Sequence, residues 1–507
     1  LEGAYYNFIS MNTATKIAKE STITFTGLVY GNVNRYLYTA LLARWVGAEF
    51  LGIYSMANAI MLISEVLGKM GLETGVMRFV SRLKPDTDSQ KIQELIASTL
   101  KMTITFSLII MVGLIISSGF IVTQILNEPP LLISVIIVFA IAIPFNALTL
   151  VSAFATQGYK RLKYKTLVTQ FLNPTLLLAS MVVCYWFVSA ESAVMAPLLI
   201  TGIIGFFVMI SVLKRVSGVT NNQIVKSKFD TSLLKYSYPL MFVIILQTFM
   251  HWMDILMLGY FTDATIVGLY HPAARTAGLL QALLLSFISI YAPMIAQFHG
   301  EGDRKKMDHT YKLVTRWLLI CAIPISAVFI IFPGKVLLLF GPEYLPSAKI
   351  LVILTGATFI QAVLGAAGPA LSMSGHTKLV LWNTIGAFGL NFGLNIFLIP
   401  KYGIVGAAIA TLISLTILGF ARIIEVQIIL RMNFIDRKVI KPILAGLIVF
   451  TGLFFIKDFI MPFHTLITLI LAGIFSVGVY GFILWILKVE EEDLDFLKGL
   501  KVLKGRK

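Results

Sequence analysis

Apolar windows about twenty residues long recur along the whole chain with short polar interruptions between them. A helix needs about twenty mostly apolar residues to cross the hydrocarbon core of a bilayer. The windows predict spans over residues 21–43, 51–77, 95–121, 131–156, 166–188, 192–213, 237–261, 266–297, 312–333, 347–372, 379–399, 404–430, 440–460 and 465–487. The expected fold class is therefore all-α and integral to the membrane, with about fourteen transmembrane helices.

The polar interruptions alternate in charge, and this orients the chain. Every second loop is basic: Arg78, Arg82, Lys84 and Lys91, then Lys160 to Lys165, then Lys214 to Lys235, Arg304 to Lys306, Lys378, Arg431 to Lys441, and the tail from Lys488. The loops between them hold only Arg44, Lys335, Lys349, Lys401 and Lys457. Basic loops stay on the cytoplasmic side during insertion, so both termini are expected in the cytoplasm of a multi-pass protein of the cytoplasmic membrane. An odd error in the number of spans breaks this alternation.

The chain also repeats itself. Gly52-Ile53-Tyr54 with Ala57 returns as Gly268-Leu269-Tyr270 with Ala273, an offset of 216, and Gly158 with Arg161-Leu162 returns as Gly375 with Lys378-Leu379, an offset of 217. Two separate positions sharing one offset predict two six-helix lobes in parallel repeat about a pseudo-twofold axis, followed by a C-terminal two-helix hairpin. The expected division is a cytoplasmic N-terminal segment 1–20, an N-lobe 21–213, a cytoplasmic linker 214–236, a C-lobe 237–431, a hairpin 440–487 and a cytoplasmic tail 488–507. Residues Leu1 to Ser10 lack the basic start and cleavage site of a secretory signal, and Met11 followed by Lys16 and Lys19 reads as a short lead into the first span.

Composition agrees with lipid as the solvent: 58% of the 507 residues are hydrophobic and 13% charged. The net charge of +16 sits between apolar runs, not on the polar face that a nucleic-acid binder needs. Cys184 and Cys321 each lie in an apolar stretch and read as buried thiols. Pro144, Pro174, Pro272, Pro324 and Pro369 mark bends, and Gly386, Gly389 and Gly393 form one small-residue face that reads as a helix-packing surface.

Ionisable side chains inside a span cost several kcal/mol unless a partner or a water-filled cavity receives them, so each is a candidate for function. Arg35 lies in the outer half of span 1, and the offset places it opposite His251 in span 7. Asp254 is one turn beyond His251, and Arg275 follows Pro272 in span 8 at comparable depth. Glu65 and Lys69, four apart in span 2, are spaced for an ion pair. Lys101, Arg316, Arg422 and Glu425 fall in the cytoplasmic third of their spans, where snorkelling and a wet vestibule predict them equally. Arginine in a cavity suits an anionic substrate, since guanidinium keeps its charge and binds phosphate oxygens in pairs. His251 beside Asp254, with Glu65, offers a route for coupling to H+ or Na+.

Several chemistries lack residues. No metal-ligand spacing, phosphate-binding loop or Ser-His-Asp set stands out, and the segment 214–236 is too short for a catalytic or ATP-hydrolysing domain. A non-enzymatic transporter without a bound cofactor is expected, driven by an ion gradient, the membrane potential or the substrate gradient.

The stretches LLARWVGAEFLGIY (Leu41 to Tyr54), GLETGVMRFV (Gly71 to Val80), WMDILMLGYFTDATIVGLY (Trp252 to Tyr270), GEGDR (Gly300 to Arg304), FGPEY (Phe340 to Tyr344) and IPKYGIVGAAIA (Ile399 to Ala410) stand in an order and spacing that resemble the polysaccharide and O-antigen flippases. These belong to the multidrug, oligosaccharidyl-lipid and polysaccharide exporter superfamily. The resemblance runs over nearly the whole chain. It implies two six-helix lobes around a central cavity, and alternating access that carries a polyprenyl-(di)phosphate-linked oligosaccharide from the cytoplasmic to the outer leaflet for cell-envelope polysaccharide synthesis. Related lipid II flippases also have fourteen spans, the last two shaping a groove for the lipid tail, and carry cavity arginines on spans 1, 2 and 8. Here spans 1 and 8 supply Arg35 and Arg275, whereas span 2 offers Asn58 at that depth, which departs from a lipid II flippase proper. The implied partners are the lipid-linked glycan, membrane lipids and other polysaccharide-assembly proteins, with the chain acting as a monomer. The rival implied by the same superfamily is an ion-coupled exporter of small organic molecules. A membrane glycan polymerase or ligase is disfavoured because the outer loops are only turns.

Overall fold

The computed structural model describes the backbone of residues 2–84, 87–433 and 437–487. Among them there are helices and no strand. The predicted cytoplasmic tail, 488–507, lies outside the described residues. Two compact units divide the chain, residues 1–271 and 272–507.

The first unit contains α1 (Glu2–Lys69), α2 (Leu72–Arg82), α3 (Ser89–Phe120), α4 (Leu131–Gly158), α5 (Leu162–Thr166), α6 (Asn173–Phe187), α7 (Ala190–Ser217), α8 (Asn221–Lys226), α9 (Thr231–Phe261) and the start of α10 (Ala264–Ala277). The helical backbone of α1 begins within the predicted N-terminal segment. The largely helical stretch from Thr26 to Arg82 has 57 residues, which would extend about 85 Å if straight, far more than one crossing of a core about 30 Å thick. The chain instead folds back at Gly47, whose φ of 84° and ψ of 175° only glycine adopts readily. Tyr38 and Tyr54, sixteen positions apart, consequently stand with ring centroids 5.7 Å apart.

α4 lies at the centre of this unit, packed on α1, α2, α3 and α7. Lipid is as apolar as leucine, so membrane helices associate through close packing and not through hydrophobic expulsion. α4 meets that demand with small buried residues, among them Ala140, Ala142, Ala147, Ser152, Ala153 and Ala155, and with Phe139 beneath Tyr54. It carries no ionisable residue. On the outside, Phe187 is 84% exposed, an arrangement suited to lipid and not to water.

The predicted linker is a docked segment. Lys101, one of the cations whose role the sequence left open, turns its Nζ onto the carbonyls of Val225 and Ser227, each at 2.7 Å. The Asp230 N–H donates to Ser98 Oγ at 2.8 Å, and Gln93 donates to the Ser217 carbonyl at 3.1 Å. Thr220 and Gln223 close a capping box on α8. Together these bonds tie residues 217–230 to α3.

The second unit contains the rest of α10, then α11 (Leu279–Gly300), α12 (Arg304–Ile331), α13 (Pro333–Leu337), α14 (Ala348–Leu364), α15 (Ala367–Met373), α16 (Thr377–Glu425), α17 (Ile440–Ile460) and α18 (Thr465–Ile486). α16 is a second hairpin. It reverses at Gly403, φ 54° and ψ −132°, and brings Gly406 against the backbone of Leu398 and Ile399. α17 and α18 pair with each other and with α12, where Ser476 Oγ donates to the Pro324 carbonyl at 2.9 Å. That bond ties α18 to α12 at the level of Pro324.

One expectation changes. Gly386, Gly389 and Gly393 do not form a packing surface: a Cβ at any of them would meet nothing within 4 Å. The spacing showed that one face is smooth, but not that a neighbour fills it. Pro174 lies inside the continuous helical span Leu162–Phe187, directly after a π-helical turn, 167–172, which accommodates its missing N–H. Further π turns occupy 121–126 and 426–430. Cys184 is buried and Cys321 half-buried, both as free thiols.

Candidate functional site

The π turn explains how Arg35 is held. An i→i+5 turn inserted in an α-helix displaces a carbonyl from the regular ladder and leaves it for another donor. In the turn 167–172 the Asn173 N–H reaches back to Val168 O and the next position, Pro174, has no N–H, so Thr169 O is left for Arg35 Nη2, which donates to it at 2.9 Å. The next residue, Gln170, places Oε1 3.2 Å from Nη1 and 3.3 Å from Nη2. Two neutral acceptors thus set the plane of the guanidinium. Tyr30, one turn and a half before Arg35, stacks on Phe171 at 5.0 Å and hydrogen-bonds Thr175 through its hydroxyl at 2.9 Å. The face around Arg35 accordingly combines amide, hydroxyl and aromatic groups.

On α9 and the start of α10 the acidic candidate is also engaged. The Tyr270 hydroxyl donates to Asp254 Oδ2 at 2.6 Å, a short charge-assisted bond. His251 is exposed, with its ring edge-on to Trp252. The other face of this aromatic group belongs to His271, whose ring stacks on Trp252 at 6.3 Å and 15° and is 7% exposed. Arg275 lies half-buried in the last turn of α10, three residues beyond Pro272, and Asn58 is half-buried in the second arm of α1.

Glu65 forms the expected ion pair, with Lys69 Nζ 2.8 Å from Oε1. The network is larger than the sequence suggested, since Lys69 also stands 4.0 Å from Glu73. All three side chains are less than one-tenth exposed, so one ammonium is shared by two buried carboxylates. Glu73 escapes a helical-spacing argument because the helix breaks between it and Lys69, at Met70 with φ 52° and Gly71 with φ 71°.

At the basic end of the second unit, Glu425 accepts from Asn383 at 2.6 Å, and Arg422 donates to Thr384 Oγ1 at 3.3 Å. These groups are turned inward onto the first arm of α16 and are not snorkelling. Among the described residues no group of three or more His, Cys, Asp or Glu side chains is placed to hold a metal ion.

The structure therefore brings together Arg35 with Thr169 and Gln170, Asp254 with Tyr270, and Glu65 with Lys69 and Glu73. Sequence reasoning missed Gln170, Tyr270 and His271 as participants. For the last two a signal existed, since Tyr270 closes the repeated Gly-Leu-Tyr motif and His271 follows it.

Comparison with known proteins agrees with this architecture. The family described as polysaccharide biosynthesis protein matches residues 41–349. An uncharacterized membrane protein, MJ1068, of Methanocaldococcus jannaschii is 30% identical over 239 residues, 45% of this chain and 45% of that protein. The probable low-salt glycan biosynthesis flippase Agl15 of Haloferax volcanii is 26% identical over 170 residues, 33% of this chain and 36% of that protein. The aligned part of the chain thus spans less than half the length of these curated relatives. The solved structure of lipid II flippase MurJ in an inward closed conformation superposes with a TM-score of 0.69 over 93% of this chain and all of that one, at 16% identity, a likeness of fold. With more than half of its length matched by the family model, the chain belongs to the polysaccharide biosynthesis protein family, and it shares its helical membrane fold with MurJ.

Proposed function

We propose that this protein is a flippase that moves a polyprenyl-(di)phosphate-linked oligosaccharide from the cytoplasmic to the outer leaflet by alternating access. The observation that carries the reading is Arg35, a guanidinium inside a membrane-spanning helix whose plane is fixed by Thr169 O and Gln170 Oε1. A fixed, permanently charged fork is the side chain best suited to a phosphate or diphosphate in a low-dielectric site. Arg275 is the second proposed contact, and Asn58, His251 and Asp254 complete the proposed cavity lining. Taking each glycine-reversed hairpin as two crossings gives fourteen, with both termini in the cytoplasm, as the alternation of basic loops requires. Spans 13 and 14, α17 and α18, would shape the path of the lipid tail.

Flipping of a glycan headgroup needs directionality. Proton or sodium coupling through His251, Asp254 or Glu65 supplies it in this reading. The test is glycan export in cells carrying Arg35→Ala or Arg275→Ala with membrane levels matched to wild type. Loss of surface glycan with accumulation of the lipid-linked precursor supports the proposal. Unchanged export from both variants contradicts it, and a drug-resistance phenotype on expression instead favours a small-molecule exporter.

A further inference from the structure

At the end of the first unit opposite its basic loops, three turns meet. The turn after the π segment 121–126 carries Glu128, the reversal of α1 carries Glu49, and the turn between α9 and α10 carries Asp263. They meet at close range. Gly52 and Gly268 pack against the carbonyls of Ala264 and Ala48, and Gly259 lies against Met56 and Leu126, two residues before Glu128. The backbone N–H of Ala264, the first residue of α10, faces the Glu128 carboxyl and opposes the rise in its pKa. It is only 9% exposed, and its Oε1 is buried with no hydrogen-bond partner among the described residues.

A buried carboxylate oxygen without a donor costs more than an unpaired neutral group. The groups facing Glu128 deepen that cost: Asp263 from the α9–α10 turn and Glu49 from α1 are both acidic. α4, which follows it, has no ionisable residue. Asp263 is itself committed as an N-cap, accepting from the Ile266 N–H at 3.0 Å. One helix-terminal N–H does not offset two facing carboxylates and burial. Protonation removes the repulsion, and it turns one oxygen into a donor that can reach an acidic neighbour.

We propose that Glu128 is a proton-operated latch: protonated, it lets the 127–130 turn seat against Glu49 and the Asp263–Ala264 turn, and ionised, it drives these turns apart. Burial first, then Asp263 and Glu49, raise its pKa from 4.5 to about 7. This raised value belongs to the seated state. The unseated turn is solvated and titrates near 4.5, so seating is unpenalised below that value and weakens as pH rises. The ratio of seated to unseated forms falls up to about tenfold per pH unit between about 4.5 and about 7, then levels. Only the name of this side, the outer one, rests on the proposed orientation.

The test uses the full chain in lipid nanodiscs without substrate, with Cys184 and Cys321 replaced by serine and spin labels on Pro129→Cys and Thr265→Cys, both exposed positions. Pulsed electron-electron distances then report the turns directly. A short-distance population at low pH that gives way to a longer one as pH approaches about 7 is expected. Glu128→Gln should keep the short population throughout, and Asp263→Asn, which removes one facing charge, should leave more of the short population at neutral pH than the otherwise wild-type chain. Distances independent of pH in the otherwise wild-type chain overturn the latch, as does a transition that survives Glu128→Gln unchanged. No transported substrate is involved, so the outcome is separable from the flippase reading.

Discussion

Gly52 and Gly268 occupy reciprocal positions: a methyl on Gly52 would strike the carbonyl of Ala264, and a methyl on Gly268 would strike the carbonyl of Ala48. Both contacts link residues whose equivalents lie 216 positions away, so the repeat seen in the sequence is also a local pseudo-twofold contact between the second arm of α1 and the start of α10. Overpacking costs about 1–3 kcal/mol. Gly52→Ala and Gly268→Ala should therefore each lower the unfolding temperature in detergent, and by similar amounts. Gly386→Ala, which meets open space, should leave it unchanged or raise it, since alanine is favoured over glycine in a helix by about 1 kcal/mol.

Gln170 orients Arg35 without carrying charge. Gln170→Ala should therefore reduce transport by roughly three- to tenfold, about 1 kcal/mol for one side-chain hydrogen bond, while Arg35→Ala should abolish it. Arg35→Lys should retain only a fraction, because an ammonium keeps the charge and loses the planar fork. Initial transport rates in proteoliposomes distinguish the three.

Lys69 lies between two carboxylates in a dry part of the first unit. Lys69→Met leaves both buried without a cation and should cost about 3–5 kcal/mol, read as lost monodisperse protein or a collapse in unfolding temperature. Glu65→Gln should be much milder, because Lys69 then pairs with Glu73 alone. Equal effects from the two substitutions would mean that the shared-ammonium description is mistaken.

Lys101 secures the segment after α7. Lys101→Ala removes two bonds of 2.7 Å that share one partly exposed ammonium, together worth about 1.5–3 kcal/mol. Hydrogen exchange at residues 221–228 should accelerate by one to two orders of magnitude, with α3 and α4 unaffected.

Much of the fold was legible because lipid imposes a long, simple rule. Apolar windows placed the helices, and the turn between windows at Gly47 and that at Gly403 proved to be reversals within continuous helical stretches. What escaped was set by tertiary contact. Pro174 marked a distortion near the π turn at 167–172 but not which side chain it exposes, so Gln170 could not be linked to Arg35 before both helices were placed. Glu65–Lys69 followed from spacing, but Glu73 lay beyond a helix break. The glycine face of α16 shows the same limit in reverse: periodicity identified a small-residue surface correctly and assigned it a packing role that no neighbour fills.

The most direct measurement is transbilayer movement of a defined polyprenyl-diphosphate oligosaccharide in proteoliposomes containing the purified chain, followed by enzymatic or chemical modification of headgroups reaching the opposite leaflet. Movement well above protein-free vesicles, lost in Arg35→Ala and in Arg275→Ala at equal reconstitution, is the predicted result. Movement equal to protein-free vesicles, or equal in wild type and both variants, would contradict the assignment of this protein as a flippase that grips its substrate through those arginines.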